Sequence, residues 1–265
     1  MRALAQTGIR AMVALLLVAG CQTAAFGQQN LFNVPSGQIT KSGNLFFQEQ
    51  LNFARLVGTS NTTIDFGLGR GWEVGFNVLD VSLYDRTPET DALAGPKQVN
   101  PDLLFNAQKG FELTEFWDLA FGGQFGFNPA RDRKERRFQE FVWAVTELEI
   151  PERKEFGKYY LGLYQANTAY GGPGERVGFM LGVEIPIIPE RLSFQADYIS
   201  GDRDISVAVI GGVYTFKSGW QLSAGLQVPA PRSQNPYGLV LEFTYPGLPL
   251  FGGKGASRAA VGTAE

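Results

Sequence analysis

Hydrophobic and polar side chains alternate along most of the chain from residue 44 onward. In residues 117–125, every second position except Gly123 is large and apolar, and the positions between them are small or polar. The same alternation occurs in residues 177–185, 192–198, 221–228 and 238–245. A period of two places alternate side chains on opposite faces of a β-strand. The pattern therefore predicts strands rather than helices.

Seven less regular segments complete a predicted set of twelve strands. They are residues 44–55, 61–69, 72–85, 101–112, 138–149, 157–170 and 204–216. Many segments are about ten residues long, which suits a tilted strand that crosses a bilayer better than a strand of a soluble protein. The alternation slips at Val78 and Leu79, which predicts a β-bulge. We therefore predict an all-β fold, a transmembrane antiparallel up-and-down β-barrel of about 12 strands.

The connections between the predicted strands differ in length in a regular way. Those after even-numbered strands are mostly short, such as Gly69–Gly71 and Leu113–Glu115, whereas residues 85–100 and 128–137 form long connections after odd-numbered strands. Outer-membrane barrels alternate short periplasmic turns with longer outward loops. An even number of strands then returns both ends of the barrel to the periplasm.

The first residues predict export. Arg2 and Arg10 accompany an apolar run at residues 11–19 that is too short to span a bilayer as a helix. Two processing routes remain open, namely cleavage after Gly27 and lipidation at Cys21. We expect a signal peptide at 1–27, an N-terminal periplasmic segment at 28–43, the barrel at 44–246 and a flexible tail at 247–265. This organisation predicts location in a bacterial outer membrane.

Composition restricts the available chemistry. The chain has no histidine and one cysteine, so a Ser/His/Asp site and a zinc site built on histidine or cysteine are excluded. The carboxylate pairs Glu147/Glu149 and Asp202/Asp204 have no fixed separation of the kind that glycoside cleavage needs. A net charge of −3 gives no reason to expect nucleic-acid binding. We predict a protein without catalytic activity, cofactor or metal.

Aromatic residues cluster near the predicted strand ends. They are Trp72, Tyr84, Trp117, Tyr159, Tyr160, Tyr170, Tyr198, Trp220, Tyr237 and Tyr245. This placement is typical of the two aromatic girdles of a membrane barrel. The same aromatics could instead fill the core of an exported soluble β-sandwich, which is an alternative hypothesis.

The inward positions of the predicted barrel are largely polar. The candidates for lining the lumen are Gln48, Gln50, Asn52, Asp65, Glu73, Asn77, Asp118, Gln124, Glu184, Gln195, Asp197, Gln227 and Glu242. Acids outnumber cations in this set. A wet lumen would therefore favour cations, whereas a dry lumen would require these carboxylates to be paired or neutral. Inward glycines, among them Gly182 and Gly225, would keep a gap open or let other parts of the chain fold in.

A basic run in a predicted outward loop points to lipid contacts. Arg131, Arg133, Lys134, Arg136 and Arg137 lie within seven residues. Guanidinium and ammonium groups bind phosphate through charge-assisted hydrogen bonds. We expect membrane lipids as partners, with lipopolysaccharide phosphates as natural contacts of this loop.

Parts of the sequence resemble a known class of proteins. The alternating strands, the stretch Tyr198-Ile199-Ser200-Gly201-Asp202 and the later Gln227-Val228-Pro229 are similar to hairpins of porin-like outer-membrane transporters. The resemblance implies a channel or transporter-like barrel and supplies no substrate. Our first hypothesis is a narrow passive channel for small polar or cationic solutes. The alternative is a closed structural or adhesive barrel that acts through its outer loops.

Overall fold

Twelve antiparallel strands form one closed barrel. The computed structural model describes residues 30–86, 101–129 and 137–249. Each strand pairs with its neighbours in sequence, and the first strand pairs with the last. The predicted up-and-down barrel is therefore confirmed. The β-sandwich alternative is wrong, because a sandwich consists of two open sheets, whereas this single sheet closes on itself.

The strand boundaries agree broadly with the sequence pattern. The strands are β1 (Asn44–Ala54), β2 (Val57–Gly69), β3 (Trp72–Asp85), β4 (Asp102–Thr114), β5 (Trp117–Phe127), β6 (Gln139–Glu149), β7 (Lys158–Ala166), β8 (Val177–Ile188), β9 (Leu192–Ile199), β10 (Val207–Thr215), β11 (Gln221–Pro229) and β12 (Gly238–Pro249). A short 3₁₀ helix, Pro151–Phe156, precedes β7, and a one-turn helix, α1 (Thr168–Gly171), follows it. Strand β7 was predicted to reach residue 170 but ends at Ala166, where Asn167 caps α1.

A bulge interrupts the pairing of β2 with β3. Ser60 lies opposite Val81 and Thr62 lies opposite Val78, so two residues of β3 face one residue of β2. One of those two, Asp80, has a positive φ of 58° and donates its backbone N–H to the Asn61 side chain at 2.8 Å. The slip in alternation near Val78 therefore does mark a β-bulge.

The two ends of the barrel differ in their connections. At one end the links are short, such as residues 70–71 and 115–116, while the other end carries the long links 86–101 and 128–138. We call the latter the outer end, because long loops of outer-membrane barrels face outward. The ends of the barrel sheet, Asn44 and Pro249, lie at the opposite, inner end.

Large apolar side chains cover the outside of the wall. Phe76, Leu161, Leu163, Leu181, Ile210 and Leu226 are between 42% and 65% exposed. Exposed aromatics border this band near the inner end, as at Trp72, Trp117 and Tyr159, and near the outer end, as at Phe138 and Tyr237. Such a surface is typical of a wall that faces lipid. Within the described residues, no helix is long and apolar enough to span a bilayer.

The core of the molecule lies inside the barrel. Tyr160, which was expected in a girdle, is 3% exposed and packs with Val145 and Met180 in an interior cluster. Two members of this cluster, Leu31 and Val34, come from the chain before β1. The segment at 28–43 was expected in the periplasm, but residues 30–40 lie within the barrel, where Leu31, Phe32 and Val34 are buried, and only residues 41–43 are exposed.

Candidate functional site: the barrel lumen

The structure places the candidate lumen residues on the interior face of the wall. Eight of them are at most 8% exposed: Gln48, Gln50, Asp65, Glu73, Asn77, Gln195, Asp197 and Glu242. The other five, Asn52, Asp118, Gln124, Glu184 and Gln227, are partly exposed and lie opposite buried residues of neighbouring strands. Residues directly opposite each other in a sheet share a face, so these five also point inward.

Most of the basic loop lies outside the described residues. Arg131, Arg133, Lys134 and Arg136 belong to that part of the chain, and Arg137 is exposed just before β6 at the outer end. Contact of this loop with lipopolysaccharide stays a prediction.

The N-terminal segment, residues 30–43, folds back on itself inside the lumen. The backbone N–H of Leu31 donates to the carbonyl of Val34 at 2.9 Å, and Asn30 pairs with Pro35 across this turn. Leu31, Phe32 and Val34 are at most 2% exposed. Three buried apolar side chains in so short a stretch anchor the turn against the wall by the hydrophobic effect.

Wall carboxylates hold the N-terminal segment by hydrogen bonds. Asp197 accepts the backbone N–H groups of Asn33 and Val34, the latter at 2.9 Å. Glu73 accepts the backbone N–H of Thr40 at 2.8 Å, nearer the inner end. Each bond places a carboxylate on a backbone donor that would otherwise be buried without a partner, which is among the stronger hydrogen-bond types in proteins.

Two uncharged side chains and a further carboxylate of the wall also form hydrogen bonds with the N-terminal segment. Gln50 donates to the carbonyl of Phe32 at 2.7 Å, and Gln108 donates to the carbonyl of Gln38 at 3.3 Å. The Gln38 side chain in turn donates to Glu147 at 3.4 Å. The segment is therefore tied to wall residues from several strands, and each of these ties is non-covalent.

Glycines in the wall make room for the segment. A Cβ at Gly182 would lie 2.9 Å from a methyl carbon of Leu31, and one at Gly225 would lie 2.8 Å from the ring of Phe32. At Gly110 a Cβ would lie 2.7 Å from Cγ1 of Ile39. Such distances are too short for ordinary side chains. These inward glycines serve the second role considered for them, which is to let another part of the chain fold in.

The wall of the lumen carries far more acids than bases. Of the lysine and arginine residues, only Lys109 and Lys158 lie in the twelve strands. Lys109 is on the outer face, over the rings of Trp72 and Phe111. Lys158 points inward and pairs with Glu147 at 2.6 Å and with Glu149 at 3.7 Å. Both carboxylates of the first pair considered for catalysis, Glu147 and Glu149, therefore form ion pairs with this lysine.

A cavity of about 450 Å³ occupies the outer part of the lumen. The turn of the N-terminal segment forms its floor through Asn30, Phe32, Asn33 and Pro35. Polar wall residues surround it: Gln48, Gln50, Asn52, Thr59, Asn61, Thr63, Asp80, Asp102, Gln124, Gln139, Tyr170, Asp204 and Gln227. We call this cavity the outer vestibule. Sequence reasoning missed Asp80, because the bulge changes the alternation there.

Hydrogen bonds and ring contacts order one side of the outer vestibule. Gln139 donates to Asp102 at 2.7 Å, and the hydroxyl of Tyr170 donates to Gln124 at 3.3 Å. The ring of Tyr170 stacks on Phe141 with centroids 5.0 Å apart and planes 10° apart.

Burial raises the pKa of the Tyr170 hydroxyl, and the negative charges of Asp80 and Asp102 raise it further. The phenol is therefore neutral and acts as a donor. It had been expected in an aromatic girdle.

The described residues offer no strong metal site. In residues 30–86, 101–129 and 137–249, no three or more acidic, histidine or cysteine side chains are grouped as metal ligands. The other carboxylate pair is divided between two environments. Asp202 accepts the backbone N–H of Glu175 at 3.0 Å, whereas Asp204 is exposed and lines the outer vestibule.

Comparison with known proteins places the fold. No protein-family model and no curated protein sequence matches the chain. The solved KdgM porin matches with a TM-score of 0.53 at 8% identity, over 76% of this chain and 98% of that one. The NanC porin matches with a TM-score of 0.52 at 8% identity, over 76% and 97%. A KdgM porin in complex with disordered oligogalacturonate gives a TM-score of 0.50 at 6% identity, over 76% and 98%. The chain thus has the barrel fold of outer-membrane porins.

Proposed function

We propose that this protein is an outer-membrane channel for small polar or cationic solutes, closed in its inner half by residues 30–43. The observation that carries the proposal is that the N-terminal segment occupies the lumen. A closed barrel with a polar, acidic interior holds a segment of its own chain by hydrogen bonds and side-chain packing alone, so the segment can leave without breaking a covalent bond. The porin fold and the apolar outer wall support location in the outer membrane.

Charge supports the choice of solute. Fixed carboxylates in a low-dielectric wall attract cations and repel anions. Glu184 and Asp118 lie on the interior face, and the one inward lysine of the strands is already paired with Glu147. A polyanion such as the oligogalacturonate of the KdgM complex would meet repulsion here. We therefore propose different solutes for this chain.

A closed structural barrel is the second candidate. The observation that favours it is the same buried segment, because Leu31, Phe32 and Val34 fill the middle of the lumen. In that case the wall carboxylates would serve only to fix the segment. The outer loops would then carry the function.

Electrical recording separates the two candidates. The chain from residue 28 and a variant lacking residues 28–41 would be refolded into planar bilayers, with heat-modifiable migration as the check on folding. We expect rare openings from the former and steady current from the latter, with a reversal potential in a KCl gradient that indicates cation selectivity. Glu184→Gln in the shortened variant should weaken that selectivity. A folded shortened barrel that carries no current would favour the closed structural barrel.

A further inference from the structure

The outer vestibule has the size and position of a binding site. Its volume of about 450 Å³ falls within the range of pockets that hold small ligands. It lies between the outer ends of β1, β6, β9 and β12, so a solute from outside reaches it before the N-terminal segment. What it binds follows from the groups on its wall.

Carboxamides dominate the polar lining. Nine asparagine and glutamine side chains line the outer vestibule, and they come from the N-terminal segment and from β1, β2, β5, β6 and β11. A carboxamide both donates and accepts hydrogen bonds, as a hydroxyl group does. A wall with many such groups can match a ligand with many hydroxyls, in which each group must find both a donor and an acceptor.

An aromatic surface stands beside these amides. The stacked pair of Phe141 and Tyr170 contributes to the lining, with Phe141 almost fully buried behind it. Tyr170 is partly exposed and is fixed by its hydrogen bond to Gln124. An ordered aromatic ring next to hydrogen-bonding amides offers a sugar ring both an apolar surface for its C–H groups and partners for its hydroxyls.

The charges of the described lining disfavour an anionic ligand. Asp80, Asp102 and Asp204 line the outer vestibule, and no lysine or arginine is among its described lining residues. One oxygen of Asp102, Oδ1, is buried without a hydrogen-bond partner among the described residues, although Gln139 occupies the other. A buried acceptor of this kind favours a ligand that brings a donor.

We infer that the outer vestibule binds a neutral, polyhydroxylated solute about the size of a disaccharide, held by Gln124, Gln139 and Asp102 against the ring of Tyr170. The inference deepens the proposed function, on which it rests for the route that the solute takes through the membrane. A cationic solute is the competing occupant, because the same carboxylates would attract it.

Titration calorimetry tests this inference, because it measures ligand binding independently of ion conductance. The chain from residue 28, refolded with its N-terminal segment in place, would be titrated with maltose, cellobiose and lactose, with digalacturonate and with putrescine. We expect at least one neutral disaccharide to bind and digalacturonate not to bind. The barrel is closed in this assay, so the protein can bind a disaccharide even if it conducts no current. Failure of the binding inference can therefore be distinguished from failure of the proposed channel function.

Matched variants locate the binding. Gln124→Leu removes a ligand-facing amide and should weaken disaccharide binding about 3- to 10-fold, the equivalent of one neutral hydrogen bond. Gln165→Leu makes the same change at an exposed position on β7 and should leave binding unchanged. Asp102→Asn keeps the shape of the side chain and should change disaccharide binding less than it would change binding of a cation. Preferential binding of putrescine or digalacturonate, or no binding of any disaccharide, would overturn the inference.

Discussion

At the scale of single residues, the position of a side chain in the alternation decides whether it meets lipid or the lumen. Leu181 and its neighbour Gly182 in β8 illustrate this. Leu181 is 42% exposed on the apolar outer wall, whereas Gly182 lies inside against Leu31. Sequence could predict these orientations because a period of two leaves only one choice of face per strand. It could not predict the environment of Asp80, since the bulge breaks that period.

The orientation of Leu181 can be tested by a single charge. Leu181→Arg should lower the free energy of unfolding by about 2–4 kcal/mol, because the charge would lie within the hydrocarbon. The control is Tyr237→Arg, at an exposed position just before β12 at the outer end, where the cost should be about 0–1 kcal/mol. Equilibrium unfolding from lipid vesicles measures both. Equal losses for the two variants would mean that Leu181 does not face the bilayer core.

At the scale of elements, the N-terminal segment is the part that sequence reasoning missed. It has no alternation, and its Asn, Gly, Ser and Pro content resembles a linker. The available signals were Leu31, Phe32 and Val34, three apolar residues in a polar stretch, together with the inward glycines of the wall. Neither signal says where the segment goes, because its partners, such as Asp197, are more than 160 residues away in sequence.

The hydrogen bonds from Asn33 and Val34 to Asp197 predict that these two backbone amides are protected from hydrogen exchange. Asp197→Leu removes the one carboxylate oxygen, Oδ2, that accepts the backbone N–H groups of Asn33 and Val34. A hydrogen bond to a charged group is worth about 1.5–3 kcal/mol. These amides should exchange with solvent roughly 10- to 100-fold faster, as measured by hydrogen–deuterium exchange. Asp118→Leu, at an interior carboxylate of β5, should leave their exchange unchanged. Unchanged exchange in Asp197→Leu would show that other contacts alone hold the turn.

At the scale of the whole molecule, the fold was predictable because many weak signals agree. Alternation, strand length, aromatic placement and connection length all point to a twelve-stranded barrel, and an error in one strand changes little. The lumen was not predictable in the same way. Its contents depend on a single segment, and the outer vestibule is assembled from residues of many strands, so no local pattern marks it. Gln124 and Tyr170, for example, are 46 residues apart.

Locking the segment in place tests the central claim most directly. A Cβ at Gly110 lies 2.7 Å from Cγ1 of Ile39, which is one bond from its Cβ. The two Cβ atoms of Ile39→Cys/Gly110→Cys can therefore approach the separation of roughly 3.5–4.5 Å that a disulfide needs. The chain from residue 28 contains no other cysteine. We predict that the oxidised double variant carries no current and that the same protein opens in planar bilayers after reduction. Equal currents in the oxidised and reduced states would contradict a channel closed by its own N-terminal segment.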